Sequence, residues 1–167
     1  MLLALFALLA TEPALAADKP PKCDWKGDAV DPFTGKDGRW MNVTYFGTYS
    51  LTFRRAVDGA IPVEVKFYEA GMTNNVVDKP LMFLLADGAV VELPIKAGAA
   101  PAHAASSYGV STVHTADGML PLESVKKFVD VGVTRIRFPV PTKEWTREMD
   151  KGDIKGFTNL SRCLLEP

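Results

Sequence analysis

Histidine and cysteine are scarce in this chain, two of each among 167 residues, and no two of the four are neighbours. No G-x-S-x-G, H-E-x-x-H, C-x-x-C or phosphate-cradling glycine loop occurs. The one short match to a catalytic pattern, Ser124-x-x-Lys127, lacks its companion motifs and reads as a polar helix face. Charge of one sign is missing too. Lysine plus arginine number 19 and aspartate plus glutamate 20, with no run or tail of either. A protein that grips nucleic acid through its phosphates shows a basic excess or stripe, so that class of partner is excluded. Nothing in the sequence implies a cofactor, and no ligand set for a metal is present at a usable spacing.

Only one long apolar stretch exists, Leu2–Ala10, followed by Pro13 and the small-x-small triplet Ala14-Leu15-Ala16. This is the pattern of a secretory h-region and cleavage site. At about half of the roughly 20 residues that span a bilayer, it is too short for a transmembrane helix. Residues 1–16 are therefore expected to be a cleaved signal peptide, with a retained N-terminal anchor as the alternative. The mature chain is expected to be periplasmic or extracellular, without a membrane segment. It loses Glu12 and is charge-neutral.

In an exported protein, Cys23 and Cys163 read as a disulfide joining the two ends of the mature chain. Closing a loop of that length stabilises by about 4–5 kcal/mol on the chain-entropy model. The alternative is two separate buried thiols.

The organising stretch is Leu81–Ile95. Two apolar runs flank Asp87-Gly88, a dipeptide suited to a two-residue type I′ turn. The first run is apolar throughout, which predicts a strand covered on both faces, with the C-terminal helical stretch as the second cover. The second run alternates and ends at Pro94, which predicts an edge strand. Trp40–Tyr45, Tyr49–Arg54 and Val63–Tyr68 alternate as half-buried antiparallel strands. Lys96–Ser107 reads as a flexible excursion, Tyr108–Thr115 as a weaker strand and Asp117-Gly118 as a turn. Leu122, Val125, Phe128 and Val129 form one helical stripe between Pro121 and Gly132. Thr134, Ile136 and Phe138 mark a strand, after which Lys143–Asp150 and Asp153–Leu165 read as helices.

The resulting fold class is α+β: a mainly antiparallel sheet of six to eight strands or a partial barrel, with a sandwich as the alternative, a short helix after residue 120 and C-terminal helices. Residues 17–39 form a leader and loop, and residues 40–167 a single domain. Functionally, aromatics that fall opposite the core faces are the strongest signal. Trp40 and Tyr68 do so, and Trp25 sits in the loop, with Arg54, Arg135 and Arg137 as flanking cations. These residues suggest a non-catalytic binding module for a protein, glycan or small ligand of unknown identity. Covering of the hairpin by helices would confine that role to Trp25, Trp40 and the loops. The alternative is a small exported hydrolase or metal-dependent enzyme using His103, His114 and an aspartate. Asp28, Asp31 and Asp37 lack the spacing of a calcium loop.

Overall fold

Ten strands and two helices follow one another in the computed structural model, which describes residues 21–27, 37–45, 47–56, 58–73, 77, 79–98, 100–106, 109–140 and 145–166. In chain order the strands are β1 (Trp40–Tyr45), β2 (Tyr49–Arg54), β3 (Ala60–Ala70), β4 (Leu81–Leu85), β5 (Val90–Leu93), β6 (Ile95–Ala97), β7 (Ala102–Ser106) and β8 (Gly109–Pro121). Helix α1 (Leu122–Asp130), strands β9 (Val133–Phe138) and β10 (Trp145–Glu148), and helix α2 (Lys151–Leu165) complete the chain. The expected leader peptide over residues 1–16, and Asp28 and Asp31, lie outside the described residues.

All pairings are antiparallel and divide the strands between two sheets. The larger has the order β1-β2-β3-β8-β6, with β7 pairing β8 further along the same edge; the smaller has the order β10-β9-β4-β5. Alternation in the sequence sets the faces: Leu51, Phe53, Ile61, Val63, Val65 and Phe67 are buried, and the residues between them face out. The buried residues of both sheets and both helices form one cluster. Phe157 of α2 joins its parts, with ring centroids 6.1 Å from Phe53, 6.0 Å from Phe83 and 5.8 Å from Phe128.

Helix α1 buries Val125 and Phe128 and ends where Gly132 adopts a φ of 87°, a left-handed cap that suits glycine. Helix α2 begins with a capping box: Asp150 accepts from the Asp153 N–H, and the Asp153 side chain accepts from the Asp150 N–H. At its far end Cys163 is disulfide-bonded to Cys23, with the Cα atoms 5.5 Å apart, so the expected bridge between the ends is present. Among the described residues no helix is long and apolar enough to cross a membrane.

Five local expectations are corrected. The Leu81–Ile95 hairpin forms, but its loop has three residues. Leu85 bonds to Ala89, Gly88 N–H donates to the Leu85 carbonyl, and only Gly88 of the pair has positive φ. This is an ordinary turn followed by a left-handed glycine, not a type I′ turn. The first strand is not sealed on both sides: Leu81, Phe83 and Leu85 are buried, while Met82 and Leu84 are half-buried. Helix α2 packs on the core side only. Asp117-Gly118 is mid-strand, because β8 is held by β3 on one edge and by β6 and β7 on the other. Much of the predicted Lys96–Ser107 excursion is strand for the same reason. Residues 145–148 form β10 rather than helix, since Trp145 stacks on Tyr49 with centroids 3.7 Å apart while the backbone pairs with β9.

Candidate functional site

Among the described residues, the outer face of the larger sheet carries no helix and no second sheet. Register places its side chains in rows across the strands. One row is polar from end to end: Asn42 stands opposite Thr52, Thr52 opposite Glu64, Glu64 opposite Asp117, and Asp117 opposite Lys96. It crosses five strands, about 19 Å at ~4.8 Å per step. On one flank lie Trp40, Arg54, Pro62 and Met119, and on the other Thr44, Ser50, Lys66 and Thr115.

Two open depressions run along these rows, of about 560 Å³ on the β6 side and about 490 Å³ on the β1 side. They adjoin, Arg54 and Glu64 lining both. At the β1 end Lys26 bridges to Trp40 through two backbone hydrogen bonds. Its ammonium also sits 5.3 Å from the centre of the indole. Lys26, Arg54, Lys66 and Lys96 supply four cations, and Glu64 and Asp117 two carboxylates. None of the six makes an ion pair among the described residues. Asn42 Nδ2 donates to the Thr52 hydroxyl at 3.1 Å and Thr44 Oγ1 to Asn42 Oδ1 at 2.7 Å, which pre-orients the neutral end of the row.

The aromatic residues expected to form one platform are separated. Trp40 borders the row. Tyr68, 39% exposed, shares the face, but it lies six residues along β3 from Pro62 and hence roughly 20 Å away. Trp25 is elsewhere: the Arg55 and Arg39 guanidinium carbons lie 5.0 and 5.9 Å from its ring centre. Arg39 and Arg55 both pair with Asp37, and Arg55 donates to the Glu166 carbonyl. That cluster clasps the chain ends beside the disulfide.

Arg135 and Arg137 do not flank the Trp40 face either. They belong to the smaller sheet, where with Met82, Leu84 and Val90 they line a cleft of about 190 Å³. Arg135 is paired with Glu148 at 2.6 Å. β9 and β3 are in different sheets, so these arginines cannot share a face with Trp40.

The histidines meet a carboxylate, and it is a glutamate. His114 Nε2 lies 2.7 Å from Glu69 Oε2, which also accepts from the Thr73 hydroxyl at 3.0 Å. Thr112 Oγ1 accepts from the Thr73 N–H, donates to the Gly71 carbonyl and lies 3.2 Å from His103 Nδ1, so the two histidines belong to one network. With its hydroxyl proton directed at Gly71, Thr112 leaves His103 Nδ1 as the donor. Burial, and then the nearby Glu69 charge, raises the Tyr49 phenol above its ordinary range. This geometry is that of an acid–base pair, but His114 and Glu69 are 1% and 7% exposed, so neither presents an atom to a substrate. Phe67 stacks on the His114 ring. Among the described residues, no three His, Cys, Asp or Glu side chains are grouped to hold a metal.

Sequence reasoning missed Lys26, Lys66, Lys96, Glu64 and Asp117 as a group. Strand parity put Glu64 and Lys66 outside, but reading Lys96 as loop and Asp117 as turn removed the two strands that complete the row. No family model matches the chain, and no characterised protein or solved structure shows significant similarity to it.

Proposed function

We propose that the chain is an exported, non-catalytic binding module that holds its ligand against the uncovered face of the six-stranded sheet. The observation that carries this reading is the polar row Asn42–Thr52–Glu64–Asp117–Lys96, flanked by Trp40, Arg54 and Lys66. Its charged groups make no ion pairs among the described residues. Exposed charges of this kind add little to folding stability. They are available to a partner, and the depressions beside them are large enough to seat one. The disulfide between the chain ends is compatible with an oxidising compartment.

The test compares the wild-type chain with Arg54→Glu plus Lys96→Glu, and with Arg135→Glu, each immobilised and exposed to envelope extract of the source cell. All three should show the same thermal transition. Loss of the retained material in the double variant alone supports the reading. Equal retention by the double variant, or loss confined to Arg135→Glu, refutes it.

A further inference from the structure

Resting on that reading, we infer that the occupant of the row is an acidic polysaccharide, a sugar chain bearing carboxylate or sulfate groups. Three observations point to this chemistry. The first is charge: the face carries four cations against two carboxylates, whereas the chain as a whole has a net charge of −1. An anion is therefore drawn to this side and away from the rest of the surface.

The second observation is the placement of the two signs. Lys26 and Lys96 stand at opposite ends, Arg54 and Lys66 lie on opposite flanks, and Glu64 and Asp117 occupy the middle. The spread from β1 to β6, about 19 Å, suits an elongated ligand with repeated anionic groups. The central carboxylates accept hydrogen bonds and give none. A chain of anions without hydroxyls, such as a polyglutamate or a polyphosphate, would set like charge against them. A polyhydroxylated acid offers O–H donors to Glu64 and Asp117 and its anionic groups to the surrounding cations.

The third observation is what the face lacks. The middle of the row, Thr52, Glu64 and Asp117, stands on the interior strands β2, β3 and β8, whose backbone groups are bonded to a neighbour on each side. An extended peptide lying across the face therefore finds no ladder to join there, and could add only at the margin, along β1 or β6. Side chains that hydrogen-bond, together with the half-buried Trp40 ring and 50%-exposed Met119 at the margin, match the alternating hydroxyl edges and C–H faces of sugar rings.

The experiment uses the disulfide-bonded chain and three polymers: polygalacturonate, neutral dextran and polyglutamate. Binding is read by affinity electrophoresis and calorimetry at two salt concentrations. Polygalacturonate should bind, more weakly at the higher salt because exposed pairs are screened, while dextran and polyglutamate should not. Arg54→Glu plus Lys96→Glu should weaken polygalacturonate binding at least about tenfold.

The decisive variant is Glu64→Ala plus Asp117→Ala, with its fold confirmed by an unchanged thermal transition. Charge alone predicts tighter binding, since two anions are gone. The proposal predicts weaker binding, since the hydroxyl acceptors are gone. Tighter binding by this variant, or equal binding of polyglutamate, overturns the proposal. So does absence of polygalacturonate binding. If polygalacturonate fails while the arginine–lysine reversal still abolishes retention of envelope material, the face is the site and the ligand class is wrong. If the reversal leaves that retention intact, the binding-face reading itself falls.

Discussion

Replacing Gly118 by alanine separates the observed fold from a turn at Asp117-Gly118. Gly118 lies in β8 between Val63 of β3 and Ile95 of β6, where the chain passes from the smaller sheet to the larger through Pro94. A Cβ added there would stand 3.0 Å from Leu93 Cγ, 3.0 Å from the Pro94 carbonyl oxygen and 3.1 Å from Leu93 Cδ1. Ordinary contacts begin near 3.4 Å. Leu93 is fully buried, and the Pro94 carbonyl is backbone beside a ring with fixed φ, so neither yields without moving the crossover. Overpacking of this kind costs about 1–3 kcal/mol. Gly118 has no left-handed φ, so alanine also removes unfolded-state freedom worth about 0.4–1 kcal/mol. The net is a loss centred at about 1.3 kcal/mol and at most about 2.6 kcal/mol, or a fall in Tm of about 3–5 °C at the centre for a chain of this size.

Thermal unfolding followed by circular dichroism, with the disulfide intact, measures it. Gly156→Ala is the control: that glycine lies in α2 with open space where a Cβ would go. The change should raise stability by about 1 kcal/mol. In a surface turn at ordinary φ, Gly118→Ala would stabilise instead. A Gly118→Ala protein that melts at or above the wild type, while Gly156→Ala behaves as expected, refutes the close crossover.

Three further predictions follow from the structure. Glu69→Ala removes the carboxylate 2.7 Å from the buried His114 ring nitrogen and should lower stability by about 1–3 kcal/mol in denaturant titration, whereas Glu69→Leu plus His114→Leu should be less harmful than Glu69→Ala alone. A single-variant loss below about 1 kcal/mol would show that the pair is not buried as described. Replacing Cys23 and Cys163 by serine should remove about 4–5 kcal/mol; two alkylatable thiols in the untreated wild type would deny the bridge. The hydrogen bond from the Arg39 side chain is the main cause holding the Asp37 carboxyl at about 2, below its usual 3.8. Because the folded value is depressed, this contact favours the fold above pH 3.8, and its contribution disappears as pH falls through about 2. Carbon NMR titration should find that midpoint, and Arg39→Ala should move it back towards 3.8. An unmoved midpoint would assign the depression to another cause.

Alternation was legible wherever a strand has one wet and one buried face. Trp40–Tyr45, Tyr49–Arg54, Val63–Tyr68 and Thr134–Phe138 declared their inward residues, and the Val125–Phe128 stripe with Gly132 declared α1. Composition misled where tertiary contacts override it. Asp117-Gly118 has turn chemistry, yet strands bonded on both edges hold it extended, and Gly118 is there for the close passage of Leu93 and Pro94. Residues 145–148 look helical beside Pro139 and Pro141, but Trp145 gains a stacked contact with Tyr49 only by lying in a strand. Local residues thus determined the class of the fold and the parity of its faces, because periodicity acts over short range, and the cysteine bridge, because the chain holds only two cysteines that could form one. Which strands share a sheet was decided by the tertiary structure, because pairing joins residues far apart in the chain. It separated Trp40 from Arg135 and Arg137, buried His114 on Glu69, and aligned Asn42, Thr52, Glu64, Asp117 and Lys96 into one outward-facing row.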